Sequence, residues 1–232
     1  MAERTGLEGR LIAFEGIDGA GKTTQARLLL EALTGIGLSA LLTKEPTDGP
    51  HGQRLRESAR SGRLSVDEEL ALFIADRRDH IEQQLRPRME AGDVVLVDRY
   101  YYSTAAYQGA RGLDWREIIR TNEEFAPRPD LVLILDCSPE SGRRRIARRG
   151  DTANDFEDLA NLAAVRTIFL QMSSAVPETP TVMIVNSEPP FEKVHQQVLR
   201  LVENLAPRQV FRDIIEPWPD PDEHPFLAST LK

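Results

Sequence analysis

Eight consecutive residues, Gly16-Ile17-Asp18-Gly19-Ala20-Gly21-Lys22-Thr23, fit the spacing G-x-x-x-x-G-K-[ST]. The glycines let a chain curl so that several backbone N–H groups converge on phosphate oxygens, and a helix starting there adds the positive end of its dipole. Lys22 then reaches the β- and γ-phosphates, Thr23 offers a hydroxyl to Mg²⁺, and Gly16 to Thr24 as a whole is the expected ATP site. The alternative, a glycine-rich turn that binds nothing, is opposed by context: the apolar run LIAF precedes the motif and a helical pattern follows it. Asp98 closes the buried run VVLVD, where a carboxylate facing a crevice can serve as the second magnesium anchor; a loop-capping aspartate is the bland alternative. Arg99 follows at once and faces the same crevice, as a phosphate ligand or as half of a salt bridge.

The elements that must position these residues are legible as alternating patterns. Strand-length apolar runs occur at LIAF near residue 11, SALLT near 39, VVLVD at 94–98, LVLILD at 131–136 and TVMIV at 181–185, with helical periodicity between them. That alternation predicts an α/β fold, a doubly wound parallel sheet of about five strands flanked by helices. Ala26, Leu29, Leu30 and Leu33 give the first helix, which Gly35 stops. Ser65 and Glu68 form a capping-box signature for a long helix through Phe73, Arg77 and Ile81, which Pro87 should kink or end. Ser138 and Pro139 open another helix, carrying Arg143, Arg144, Arg145, Arg148 and Arg149. Helical periodicity resumes from about Asp155 to Ala175, so residues 149–155 form a short charged loop, and 143–155 is a candidate lid. The arginines there are either an anion site or a solvated helix face.

Composition bounds the rest. The chain's 232 residues suffice for one well-cored domain, placed at 1–206, with a proline-rich acidic tail at 207–232 around EPWPDPDEHPF. The formal net charge of −8 opposes a polynucleotide or anionic-membrane partner. No apolar run approaches membrane-spanning length and the first residues do not read as a targeting signal, which predicts a cytoplasmic protein. A single cysteine, Cys137, excludes a disulfide framework and reads as a buried hydrophobe.

Taken in order and spacing, the phosphate loop with Asp18, the run LFIADRRDHIEQQLRPRMEAGDVVLVDRYYYSTAAYQG, the segment RPDLVLILDCSPESGRRRI and the arginine cluster resemble thymidylate kinases from Leu11 to about Leu205. The resemblance implies γ-phosphoryl transfer from ATP with Mg²⁺ to thymidine monophosphate (dTMP), and a homodimer. It assigns Phe73, which alone would read as core, to stacking on thymine, and Arg77 one turn later to the base carbonyl edge. It further places Thr104, Tyr107 and Gln108 against the base edge and the 2′ carbon of the sugar. Asp18 goes to the 3′-hydroxyl and the magnesium region, and Arg99 bridges acceptor and donor phosphates. Two departures stand out. Where many members have an arginine before Glu-Pro, this chain has Lys44, a point charge in place of a planar fork, as the acceptor-phosphate cation. Some members carry an arginine at the position of Gly19; without it, the catalytic cation is expected from the lid, at Arg149 or Arg145. The rival readings are a kinase of another nucleotide or nucleoside and a non-catalytic nucleotide-binding module.

Overall fold

The computed structural model describes residues 9–148, 158–175 and 181–203. Five strands, β1 (Arg10–Glu15), β2 (Ala40–Lys44), β3 (Val94–Asp98), β4 (Leu131–Asp136) and β5 (Thr181–Asn186), form one parallel sheet in the order β2-β3-β1-β4-β5. Strands covered on both faces read as continuous apolar runs, and Leu11 to Phe14, Val95 to Val97 and Leu131 to Leu135 are all buried. The register sets Phe14 opposite Asp98 and Lys44 opposite Asp98, so the carboxyl ends of β1, β2 and β3 lie level. Because the chain runs from β1 outward to β2 on one side and returns from β3 past β1 to β4 on the other, these ends flank the crevice where such folds bind ligands.

The helices are α1 (Lys22–Gly35), α2 (Pro50–Ser61), α3 (Val66–His80), α4 (Arg86–Glu90), α5 (Tyr101–Gly109), α6 (Trp115–Glu123), α7 (Pro139–Arg148), α8 (Leu159–Ala175) and α9 (Phe191–Glu203). Helix α1 packs on α9, whereas α3, α5 and α8 form a second contiguous set. The capping box at α3 is complete: Ser65 Oγ accepts from the Glu68 N–H at 3.3 Å, and Glu68 accepts from the Ser65 N–H at 3.1 Å. Pro87 does not end the helical run that α3 begins. A π-helical turn at Ile81–Leu85 changes the hydrogen-bond register just before it, and α4 then carries the chain past the proline to Glu90. The amino end of α7 is capped twice. Ser138 Oγ accepts from the Ser141 N–H, and the Glu188 carboxylate accepts from the Ser138 N–H and the Ser141 hydroxyl, each at 2.7 Å. The proposed tail and residues 149–157 lie outside the described residues.

Candidate active site

Between β1 and α1 the loop turns through positive φ at Gly16 (132°), Gly19 (80°) and Gly21 (96°), conformations that side chains disfavour. Ile17 and Ala20 are buried and anchor the loop, with the Ala20 N–H donating to Ile17 O, while Thr24 is half-buried on the first turn of α1. Lys22 Nζ lies over the loop, donating to the carbonyls of Gly16 at 3.0 Å and Ile17 at 2.8 Å. Burial depresses its pKa to about 8, with the nearby Arg99 charge adding to the effect. Thr23 Oγ1 donates to Asp98 Oδ2, which brings two hard oxygens from separate elements to one point. A donor set of one hydroxyl and one carboxylate fits Mg²⁺, which usually takes few protein ligands and completes its shell with phosphates and water.

Arg99 departs from the ordinary backbone. It adopts φ 70° without being glycine, held there by its N–H on Phe14 O at 2.9 Å and by the next N–H, of Tyr100, on Glu15 Oε1 at 2.8 Å. The resulting turn brings its guanidinium onto Asp18 Oδ1, and Tyr107 donates its hydroxyl to Asp18 Oδ2 at 2.7 Å. Burial alone would raise the Asp18 pKa, but the charges of Arg99 and Lys22, with the hydrogen bonds from Tyr107 and Arg99, outweigh it and hold the carboxyl below its ordinary range. Glu15 is the opposite case. Fully buried behind the loop, with Ser103 Oγ donating to Oε2, it is pushed up by desolvation to about 7. Its position one residue before Gly16, in an otherwise apolar strand, is the signal that marks it in the sequence.

Beyond Arg99 opens a cavity of about 330 Å³, lined among others by Asp18, Phe73, Arg77, Arg99, Thr104, Tyr107 and Gln108, so seven of the residues expected at the acceptor meet in one space. Phe73 is half-buried and lies outside the hydrophobic core cluster, which removes the core reading suggested by its apolar neighbours. Arg77 is wholly buried on the cavity wall. Its Nε and Nη2 donate to Glu45 Oε2 at 2.9 and 2.6 Å, Nη1 to Asn122 Oδ1 at 2.6 Å, and Nη2 again to Thr104 Oγ1 at 3.0 Å. Gln108 is held likewise, donating to Glu69 at 3.1 Å and accepting from Arg111 at 3.2 Å. Glu45, Glu69, Asn122 and Arg111 are thus supports that no local pattern announced; they come from four separate elements or loops and meet only in the fold.

Lys44, expected at the acceptor phosphate, does not line this cavity. As the last residue of β2 it is exposed, pairs with Asp48 at 3.3 Å, and lines a neighbouring cavity together with Thr23 and Asp98. Strand alternation explains the miss, since Glu45, one residue later, points to the acceptor side instead. The cation lining the acceptor cavity near this loop is Arg56 of α2, whose Nη1 donates to Pro46 O at 3.0 Å. Among the arginines of α7, Arg145 is the one turned to the phosphate loop: Nη1 donates to Gly19 O at 3.3 Å and Nη2 to Ser187 O at 2.7 Å. Arg143, Arg144 and Arg148 are exposed, and Arg149 lies outside the described residues. Helix α7 also accounts for glycine at position 19, because a Cβ there would stand 2.2 Å from Gly142 O.

A crevice joining a phosphate loop, a hard-oxygen pair and a cavity with an aromatic wall can hold a nucleoside triphosphate against a second, aromatic anion. Comparison with known proteins agrees. The sequence model of the Thymidylate kinase family matches residues 14–198. A thymidylate kinase of Xanthomonas oryzae pv. oryzae (strain PXO99A) is 53% identical over 161 residues, 69% of this chain and 70% of that protein. One from Xylella fastidiosa (strain M12) is 46% identical over 194 residues, 84% of this chain and 87% of its own length. The crystal structure of thymidylate kinase from Ehrlichia chaffeensis superposes with a TM-score of 0.68 at 28% identity, covering 84% of this chain and 98% of that one. On its sequence, its fold and the arrangement of its crevice, this chain belongs to the thymidylate kinase family.

Proposed function

We propose that the chain transfers the γ-phosphoryl group of ATP to dTMP, giving dTDP and ADP, a step of dTTP biosynthesis. The observation that carries the reading is the junction of the two halves of the crevice: Asp18 and Arg99 belong at once to the phosphate loop's surroundings and to the acceptor cavity wall. An acceptor phosphate oxygen attacks the γ-phosphorus, the bond to the β–γ bridging oxygen breaks, and that oxygen leaves on ADP. The second ionisation of a phosphate monoester lies near pH 6, so the nucleophile is already anionic and no general base is needed. Catalysis then consists of holding two anions in line and meeting the charge that spreads over the transferred group.

In this reading Gly16 to Thr24 cradle the ATP phosphates, Lys22 meets the β- and γ-phosphates, and Arg99 spans donor and acceptor. Thr23 and Asp98 hold Mg²⁺, which supplies charge neutralisation between the phosphates. Phe73 stacks on thymine, Arg77, Thr104 and Gln108 face the base edge, and Tyr107 with Asp18 bounds the sugar. Arg56 takes the acceptor-phosphate role first expected of Lys44. Arg145, already directed at Gly19, and Arg149 supply the cation of a lid at 143–155, in a form of the family without an arginine in the phosphate loop. Residues 1–206 make up the kinase domain, with 207–232 as an appended tail. The protein works as a homodimer, as the resemblance implies, and in the cytoplasm, as the sequence predicts; among the described residues no helix is long and apolar enough to cross a membrane. A coupled ADP-release assay across the nucleoside monophosphates tests this: dTMP should be the best acceptor, dUMP weaker and UMP very poor. Equal turnover of UMP and dTMP would remove the sugar role of Tyr107, and nucleotide binding without acceptor-dependent ADP release would leave only a binding module.

A further inference from the structure

We infer that His80, which lies outside the lining of the acceptor cavity, is a positioning residue for base recognition: it fixes the Glu45 carboxylate, which aims the Arg77 guanidinium into the cavity. The inference rests on the reading of Arg77 as the base-edge donor. Glu45 divides its two oxygens. Oε2 takes both Nε and Nη2 of Arg77, and Oε1 takes His80 Nδ1 at 3.0 Å. All three side chains are at most 3% exposed, so water does not substitute for a missing partner. The Glu45 carboxylate accepts from His80, which places a hydrogen on Nδ1, while Nε2 lies 2.8 Å from Thr43 Oγ1, whose hydroxyl donates to Gln84 Oε1 at 3.2 Å.

Both arms of this network stand on α3, with Arg77 and His80 three residues apart on one face, whereas Glu45 follows the end of β2 and has no helix or strand of its own to hold it. Four hydrogen bonds already occupy four of Arg77's five N–H donors, so the direction of the remaining Nη1 hydrogen depends on where Glu45 holds the rest of the group. Without His80, Oε1 would be buried with no donor, and the carboxylate would turn to recover one, releasing Arg77. A donor at that place favours a base with a carbonyl at position 4 over one with an amino group, so the network bears on thymine against cytosine.

Asparagine superposes its amide nitrogen on histidine Nδ1 and glutamine superposes its own on Nε2, which gives a paired test. In His80→Gln the Michaelis constant for dTMP should rise about tenfold, the cost of one hydrogen bond to a charged group. The constant for ATP should stay within about twofold, and the kcat/KM preference for dTMP over dCMP should shrink by a factor similar to the dTMP loss. His80→Asn should restore dTMP affinity to within about threefold of the parent. Equal behaviour of the two variants, or a parallel loss of ATP and dTMP affinity with a lowered thermal midpoint, would overturn the inference in favour of a purely structural histidine. Arg77→Lys in the same panel separates the two levels. If it leaves the dTMP constant unchanged, the base-edge reading fails and this inference with it; if it raises that constant while His80→Gln does not, the positioning role alone fails.

Discussion

Replacing Glu15 by glutamine should stabilise the ATP-free protein at pH 8 and leave it nearly unchanged at pH 4.5 to 5. The carboxyl is fully buried and its pKa is raised from 4.5 to about 7 by desolvation, against the opposing pull of Ser103, Tyr100, Arg99 and Lys22. A group whose pKa is raised on folding favours the folded state fully below its unfolded value. That contribution is lost as pH rises through the folded value, so the penalty of the carboxylate is absent near pH 4.5 and complete above about 7. The interval from 4.5 to about 7, at about 1.36 kcal/mol per pH unit, corresponds to about 3 kcal/mol. Glutamine avoids this while keeping both hydrogen bonds: its carbonyl can accept from the Tyr100 N–H, and its amide can donate to Ser103 Oγ. Thermal unfolding followed by circular dichroism should therefore show the variant about 6–12 °C above the parent at pH 8, the difference fading by pH 5. An offset independent of pH, or a variant less stable at pH 8, would refute the claim that Glu15 is a buried carboxylate held against its solvation.

Three further substitutions probe the site. Lys22→Ala should cut turnover by at least about 10³-fold with little change in thermal midpoint, because the ammonium lies on the phosphate loop's own carbonyls and anchors no core contact; near-normal turnover would dismiss the phosphate-cradle reading. Phe73→Ala should weaken dTMP binding by about 1–3 kcal/mol in titration calorimetry and leave ATP binding unaltered, whereas a large loss of stability at constant dTMP affinity would return the residue to the core. Arg145→Ala should lower kcat by about 10³-fold or more and change both Michaelis constants little. If it stays within about threefold of the parent, under a kcal/mol of barrier, the lid cation must lie elsewhere.

Sequence patterns carried the architecture because the strands are built on apolar runs and every βα junction but β3–α5 is marked by glycine, proline or a cap. The phosphate loop was legible for the same reason: all its parts are contiguous, and its order between strand and helix is itself evidence. The acceptor cavity was legible in Phe73, Arg77 and Tyr107 only through resemblance, since an aromatic in an apolar helix reads as core until its surroundings are known. Glu45, Asn122 and His80 were not legible, because a buried ion network is assembled from segments distant in the chain and leaves no periodic trace. Lys44 and Arg56 show the complementary error. The aligned position points to Lys44, but the fold turns that residue to the neighbouring cavity and puts Arg56 of α2 on the lining of this one.

The most direct measurement is to follow ATP labelled at the γ-phosphorus. With Mg²⁺ and dTMP present, the account predicts that the label appears in dTDP in step with ADP formation, that omission of dTMP leaves it on ATP, and that Lys22→Ala stops its movement. Label released as free phosphate at the same rate with or without dTMP would contradict the account, since the crevice would then be hydrolysing ATP instead of passing its phosphoryl group to the nucleotide held beside Arg99.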